Sequence, residues 1–145
     1  MKSETSKTEE AGNLKLAKKM SDFLKRKIYL LPRLDSNTPE QLELREKLLP
    51  AGVPDKKNPD FYDGIKLYDG KELMNFRGQS KDEQKKAIYN HIKKAKLQAD
   101  NYVFDLPDVF DMKYVREAIN GYLNCSNKPH TIIVFRKDSG YIYEK

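Results

Sequence analysis

Residues 80–107 read SKDEQKKAIYNHIKKAKLQADNYVFDLP. Ser80 followed three residues later by Glu83 is a capping box, the signature of a helix start. From there Ile88, Ile92, Ala95 and Ala99 recur at the spacing of one buried helix face. The helix is predicted over 81–99, the longest in the chain. Residues 101–106 follow as a short apolar strand, which Pro107 ends because it has no N–H for a ladder. Downstream, Asp111 caps a helix carrying Val115, Ile119, Tyr122 and Leu123. Residues 127–129 turn, and 131–135 with 141–143 form a closing hairpin. Upstream, 61–68 and 72–77 read as extended segments, with Asp69-Gly70 as the hairpin-type turn between them. Residues 50–60 are a proline-rich loop. Thr38-Pro39-Glu40 opens a helix that carries Leu42, Leu44 and Leu48. Residues 27–31 read as a buried strand stopped by Pro32. Leu16, Met20, Phe23 and Leu24 suit an amphipathic helix capped by Asn13. The expected class is α+β: a largely antiparallel or mixed sheet of about five strands, with N-terminal helices and one long central helix packed on it. The expected organisation is a flexible segment over 1–12 and one domain over 13–145.

The chain has 145 residues, a formal charge of +6, 38% hydrophobic and 34% charged side chains. Nine Tyr and six Phe give it bulky groups to bury, so the composition is not that of a disordered chain. No apolar run reaches the ~20 residues of a membrane span, and no membrane association is expected. A single cysteine, Cys125, excludes an internal disulfide and a multi-cysteine zinc site, and fits a reducing compartment. Lysines crowd two stretches: Lys15, Lys18, Lys19, Lys25 and Lys27, and Lys81, Lys85, Lys86, Lys93, Lys94 and Lys96. Such clusters are solvated helix faces or footprints for a polyanion.

The long helix carries polar residues on its inward side. Gln84, His91 and Gln98 recur every seven residues beside the apolar stripe, so each needs a buried partner or a polar cleft. Alternation over 72–77 puts Asn75 and Arg77 together at a strand end. Ser80 then stands at a helix N-terminus, whose N–H groups favour an anion. An arginine, a hydroxyl, a helix N-terminus and a histidine form a phosphate-handling set. Two histidines, His91 and His130, are too few for a zinc site.

These pieces, taken in order, carry a resemblance. Asn58-Pro59-Asp60, Asp69-Gly70-Lys71-Glu72, Asn75-x-Arg77 and Ile88…Ala95-x-x-Gln98-Ala99-Asp100 ahead of an apolar strand resemble the C-terminal nuclease domains of contact-dependent growth-inhibition and phage-borne toxins. These are ribonucleases of the barnase/EndoU/colicin/RelE-type superfamily. Leu30-Leu31-Pro32 and Leu48-Leu49-Pro50 fit the entry segment, so the resemblance spans about residues 25–145. It implies a metal-independent endoribonuclease that cleaves tRNA by attack of a ribose 2′-hydroxyl, with no cofactor. The implied partners are RNA and a cognate immunity protein. The implied setting is the cytoplasm, reached as part of a secreted toxin, and a monomer is expected. The family's strand glutamate and lysine correspond to Asn75 and Arg77, and Asn75 cannot serve as a carboxylate base. Activity is therefore expected to rest on His91 or Asp60 for proton transfer and on Arg77 for the charged transition state. Ser80, Lys81, Lys94 and Gln98 are expected to bind the substrate. The alternatives are an inactive relative that binds RNA or protein, and a metal-dependent nuclease of Pro-Asp…Glu-x-Lys type.

Overall fold

A computed structural model describes residues 4–54 and 56–145, with side chains from Ala11 onward. Among the described residues there are four helices and six strands: α1 Glu4–Leu24, β1 Tyr29–Leu30, α2 Pro39–Leu48, β2 Phe61–Tyr62, β3 Leu67–Glu72, α3 Lys81–Ala95, β4 Asn101–Leu106, α4 Met112–Cys125, β5 Thr131–Arg136 and β6 Ser139–Glu144. The class is α+β, as expected, and the mixed sheet has six strands in sequence order. The chain divides into two compact units, Met1–Tyr68 and Asp69–Lys145, the division falling within β3.

In the first unit β1, β2 and β3 pair antiparallel, with Leu30 opposite Phe61 and Phe61 opposite Tyr68. Leu16, Ala17, Met20, Phe61 and Tyr68 are its buried apolar residues. The first helix begins at Glu4, upstream of the Asn13 cap expected from sequence, so Asn13 lies inside it. Residues 1–3 of the segment expected to be flexible lie outside the described residues. The strand expected over 27–31 is only Tyr29–Leu30, and both residues are exposed rather than buried. Thr38 caps α2 in a capping box with Gln41. Leu42, Leu44 and Leu48 of that helix are exposed; its buried side chain is Arg45.

The hairpin turn expected at Asp69-Gly70 is instead at residues 63–66, and β3 runs straight through 69–70. Asp63 makes that turn. Its Oδ1 accepts from the N–H groups of Ile65 at 2.8 Å and Lys66 at 2.6 Å. Its Oδ2 accepts from the Tyr68 hydroxyl at 3.0 Å and from Arg26 at 3.4 Å. Gly64 sits at φ +93, a conformation that an L side chain resists. Burial pushes the Asp63 carboxyl up and is the largest single influence. The hydrogen bonds from Lys66, Ile65 and Tyr68, with the Arg26 charge, together outweigh it, and the net shift is downward. The stability this carboxylate contributes is present above its unfolded value and lost as pH falls through the lowered folded value. Asp63→Asn is expected to cost roughly 1–3 kcal/mol at pH 7. The gap from wild type should narrow in acid, measured as urea midpoints at pH 7 and pH 3.

In the second unit β4 and β5 are parallel, Phe104 opposite Val134, and β5 and β6 form the expected antiparallel hairpin. Helices α3 and α4 pack together. Ile88, Ile92, Tyr102, Phe104, Phe110, Val115, Ile119, Ile132 and Val134 belong to a closed core. Asp111 caps α4 as expected. Helix α3 ends at Ala95 rather than 99, and residues 96–98 form a turn. At Gly121 of α4 a Cβ would fall 2.6 Å from the hydroxyl oxygen of Tyr89 on α3. Gly121→Ala is therefore expected to destabilise the protein, by about 1 kcal/mol net of the better helix propensity of Ala. In a Tyr89→Phe background the clash is gone and the same change should stabilise; paired thermal melts check the sign reversal.

Candidate functional site

Residues 72–77 do not form the strand that was to carry Asn75 and Arg77. After β3 ends at Glu72 the chain turns at Met74-Asn75, and the Glu72 carboxylate accepts from the Met74 N–H at 2.5 Å. Asn75 is exposed on that turn. Arg77 folds back on it, donating to the carbonyls of Met74 at 2.7 Å and Phe76 at 2.9 Å. Phe76 stacks on Phe110 at 4.7 Å, so apolar packing lies under the turn. Ser80 caps α3, its hydroxyl accepting from the Glu83 N–H at 3.1 Å. Lys81 pairs with Glu117 of α4 at 3.2 Å. Gln84 is fully engaged with loop backbone: its amide donates to Gly78 and Val109 carbonyls at 3.1 and 2.8 Å, and its oxygen accepts from the Asp111 N–H at 2.9 Å. Gln98 is half-buried in the turn after α3. Asp60 belongs to the first unit, where it accepts from Asn13 at 3.4 Å.

One helix cannot bring Ser80 and His91 to one point, since eleven residues rise about 16 Å along the axis. The groove expected among Arg77, Ser80, His91 and Gln98 is thus not assembled around the N-terminus of α3. Of the residues singled out from sequence, His91 and Lys94 come together.

The residues beside them are on β3. Asp69 and Lys71 are two apart and so share a strand face. Asp69 is buried, and Lys71 Nζ lies 3.2 Å from its Oδ2 with the lysine side chain 27% exposed. His91 is half-buried, and its Nδ1 is buried without a hydrogen-bond partner. Burial holds the imidazole below its ordinary range, and the charges of Lys94 and Lys71 lower it further. His91 is therefore neutral near pH 7. Asp69 also reaches Tyr102 of β4, whose hydroxyl is raised by burial, by its bond to Tyr122 at 3.3 Å, and by the charges of Asp100 and Asp69.

A neutral imidazole with two ammonium groups around it can accept a proton while the cations hold an anion. A buried ring nitrogen with no partner costs about 1–3 kcal/mol. On the side of α3 away from His91, Lys86, Lys93 and, at the helix end, Lys96 are exposed and have no ion-pair partner among the described residues. No three His, Cys, Asp or Glu side chains gather as a metal-ligand set among the described residues. No helix among them is long and apolar enough to cross a membrane.

Sequence reasoning missed Asp69 and Lys71 because Asp69-Gly70 passed as a turn. The signal lay six residues earlier. Asp63-Gly64 is an equally good turn pair, and placing the turn there leaves 67–72 as a strand with Asp69 and Lys71 on one face. Comparison of the chain with protein-family models, with curated proteins and with solved structures finds no match.

Proposed function

We propose that the chain is a metal-independent endoribonuclease acting on tRNA, with its chemistry at His91, Lys71 and Lys94. The observation that carries this reading is the half-buried histidine, neutral near pH 7, between two lysine charges and beside the Asp69–Lys71 pair. His91 takes the proton of a ribose 2′-hydroxyl. The oxygen attacks the adjacent phosphorus, the bond to the 5′-oxygen breaks, and a 2′,3′-cyclic phosphate forms. The leaving 5′-oxygen takes a proton from solvent. Lys71 and Lys94 stabilise the charge that builds on the phosphoryl oxygens, and Asp69 keeps the Lys71 ammonium in place. Lys86, Lys93 and Lys96 supply a track for the backbone. The toxin resemblance adds tRNA as substrate, the cytoplasm of a target cell as setting and an immunity protein as partner.

A second reading, an RNA-binding module without turnover, is favoured by the exposed Asn75 where the resembling family carries a glutamate. Incubation with total tRNA, with and without EDTA, separates the readings. Cleavage that survives EDTA supports the proposal. Cleavage abolished by EDTA points to a metal-dependent nuclease, and retention of tRNA without cleavage to the binding module.

A further inference from the structure

Away from α3, the C-terminal end of α4 presents a second arrangement that the ribonuclease reading does not use. Ser126 Oγ lies 2.5 Å from His130 Nε2, and His130 Nδ1 lies 2.6 Å from the Asp100 carbonyl oxygen. A carbonyl can only accept, so Nδ1 carries the proton. Nε2 is then the acceptor, and the Ser126 hydroxyl donates to it. A hydroxyl on a base that a third group orients is the geometry of an activated nucleophile. The imidazole is buried, stacked at 5.7 Å on Tyr102 and 5.3 Å from Tyr122. The Lys128 N–H donates to Ser126 Oγ at 3.3 Å and would steady an alkoxide there. Lys145 Nζ donates to the carbonyls of Leu123, at 2.6 Å, and of Ser126, adding a cation beside the site. Ser126 is only partly buried, and residues 127–129 beside it are exposed.

We infer that Ser126, with His130 as its base, is a nucleophile for acyl transfer from small carboxylic esters. In the forward step the Oγ proton passes to Nε2, Oγ bonds to the ester carbonyl carbon, and the carbon–alkoxide bond breaks. The departing alcohol takes the proton back from Nε2. Water then releases the acid by the same route, leaving Ser126 free. Nothing is oxidised or reduced.

The test uses the full chain and a fluorophosphonate probe, which joins phosphorus to a nucleophilic serine oxygen with loss of fluoride. Peptide mapping should find one adduct, on Ser126. Ser126→Ala should abolish it and leave tRNA cleavage unchanged, with the melting temperature lowered by a few degrees because His130 Nε2 loses its partner. His130→Gln should slow labelling by about 10²-fold or more. A chain that stays unlabelled at Ser126, or an adduct that persists in Ser126→Ala, overturns the inference. Because tRNA cleavage is read separately, loss of one activity does not decide the other.

Discussion

His91→Ala is expected to lower tRNA cleavage by about 10²–10⁴-fold, the usual worth of a positioned general base. The residue lies within α3, and its Nδ1 has no hydrogen bond to lose, so folding should survive the change. The pH profile gives a sharper form of the prediction. Burial, then Lys94, then Lys71, lower the imidazole below its ordinary value of 6.5. The base form therefore persists below that pH, and kcat/KM should hold flat through neutrality and fall only at more acid pH. Lys71→Met removes one of the repelling charges, so His91 should hold its proton more tightly. The acid limb should then move to higher pH while the plateau drops. A Lys71→Met profile that falls in height but does not move would separate Lys71 from His91. The same shift bears on stability. The unfolded chain binds the His91 proton more readily than the folded one, so stability declines as pH falls through the window between the two values.

Arg45→Met is expected to destabilise the first unit by about 2–5 kcal/mol, the cost of leaving buried carbonyls without their donor. Arg45 is 4% exposed. Its Nη1 donates to the Leu34 carbonyl at 2.5 Å and to Asn58 Oδ1 at 3.1 Å. Its Nη2 donates to the carbonyls of Pro54 at 2.9 Å and Lys57 at 2.6 Å. One guanidinium thus ties α2 to the 33–35 segment and to the proline-rich loop. Methionine fills a similar volume but takes the donor from the Leu34 and Lys57 carbonyls, while Asn58 Oδ1 keeps the Leu34 N–H and the Pro54 carbonyl keeps the Lys57 N–H. Arg45→Lys should recover little, because an ammonium cannot span both pairs as the planar fork does. Urea unfolding followed through Tyr fluorescence measures the loss. A midpoint unchanged in Arg45→Met would show the clamp to be dispensable.

Where local signals were strong, the fold was legible from the chain. The Ser80 and Asp111 caps, the Ile88–Ile92–Ala95 stripe and the apolar runs of β4 and β5 each stand where periodicity put them. The errors share a cause. Asp-Gly occurs twice, six residues apart, and local turn propensity does not rank the two. The pairing of Phe61 with Tyr68 decides between them, and that contact is tertiary. Moving the turn converted 72–77 from strand to turn and shifted the chemistry from Asn75 and Arg77 to Asp69 and Lys71. The leucines that α2 carries are exposed, whereas its buried residue is Arg45. Its partners are mostly backbone carbonyls, which have no signature in sequence. His91 was legible because a polar residue on an apolar helix face demands an explanation whatever lies opposite. The Ser126–His130 pair was not, since four residues across a turn follow no helix or strand period.

The most direct test of the account is the chemistry of the ends it leaves. The chain is incubated with a defined tRNA in EDTA, and the upstream fragment is analysed by mass spectrometry. A 2′,3′-cyclic phosphate on that fragment, with a 5′-hydroxyl on its neighbour and neither product formed by His91→Ala, is the predicted result. A 3′-hydroxyl facing a 5′-phosphate, or cyclic ends formed equally well without His91, would contradict it.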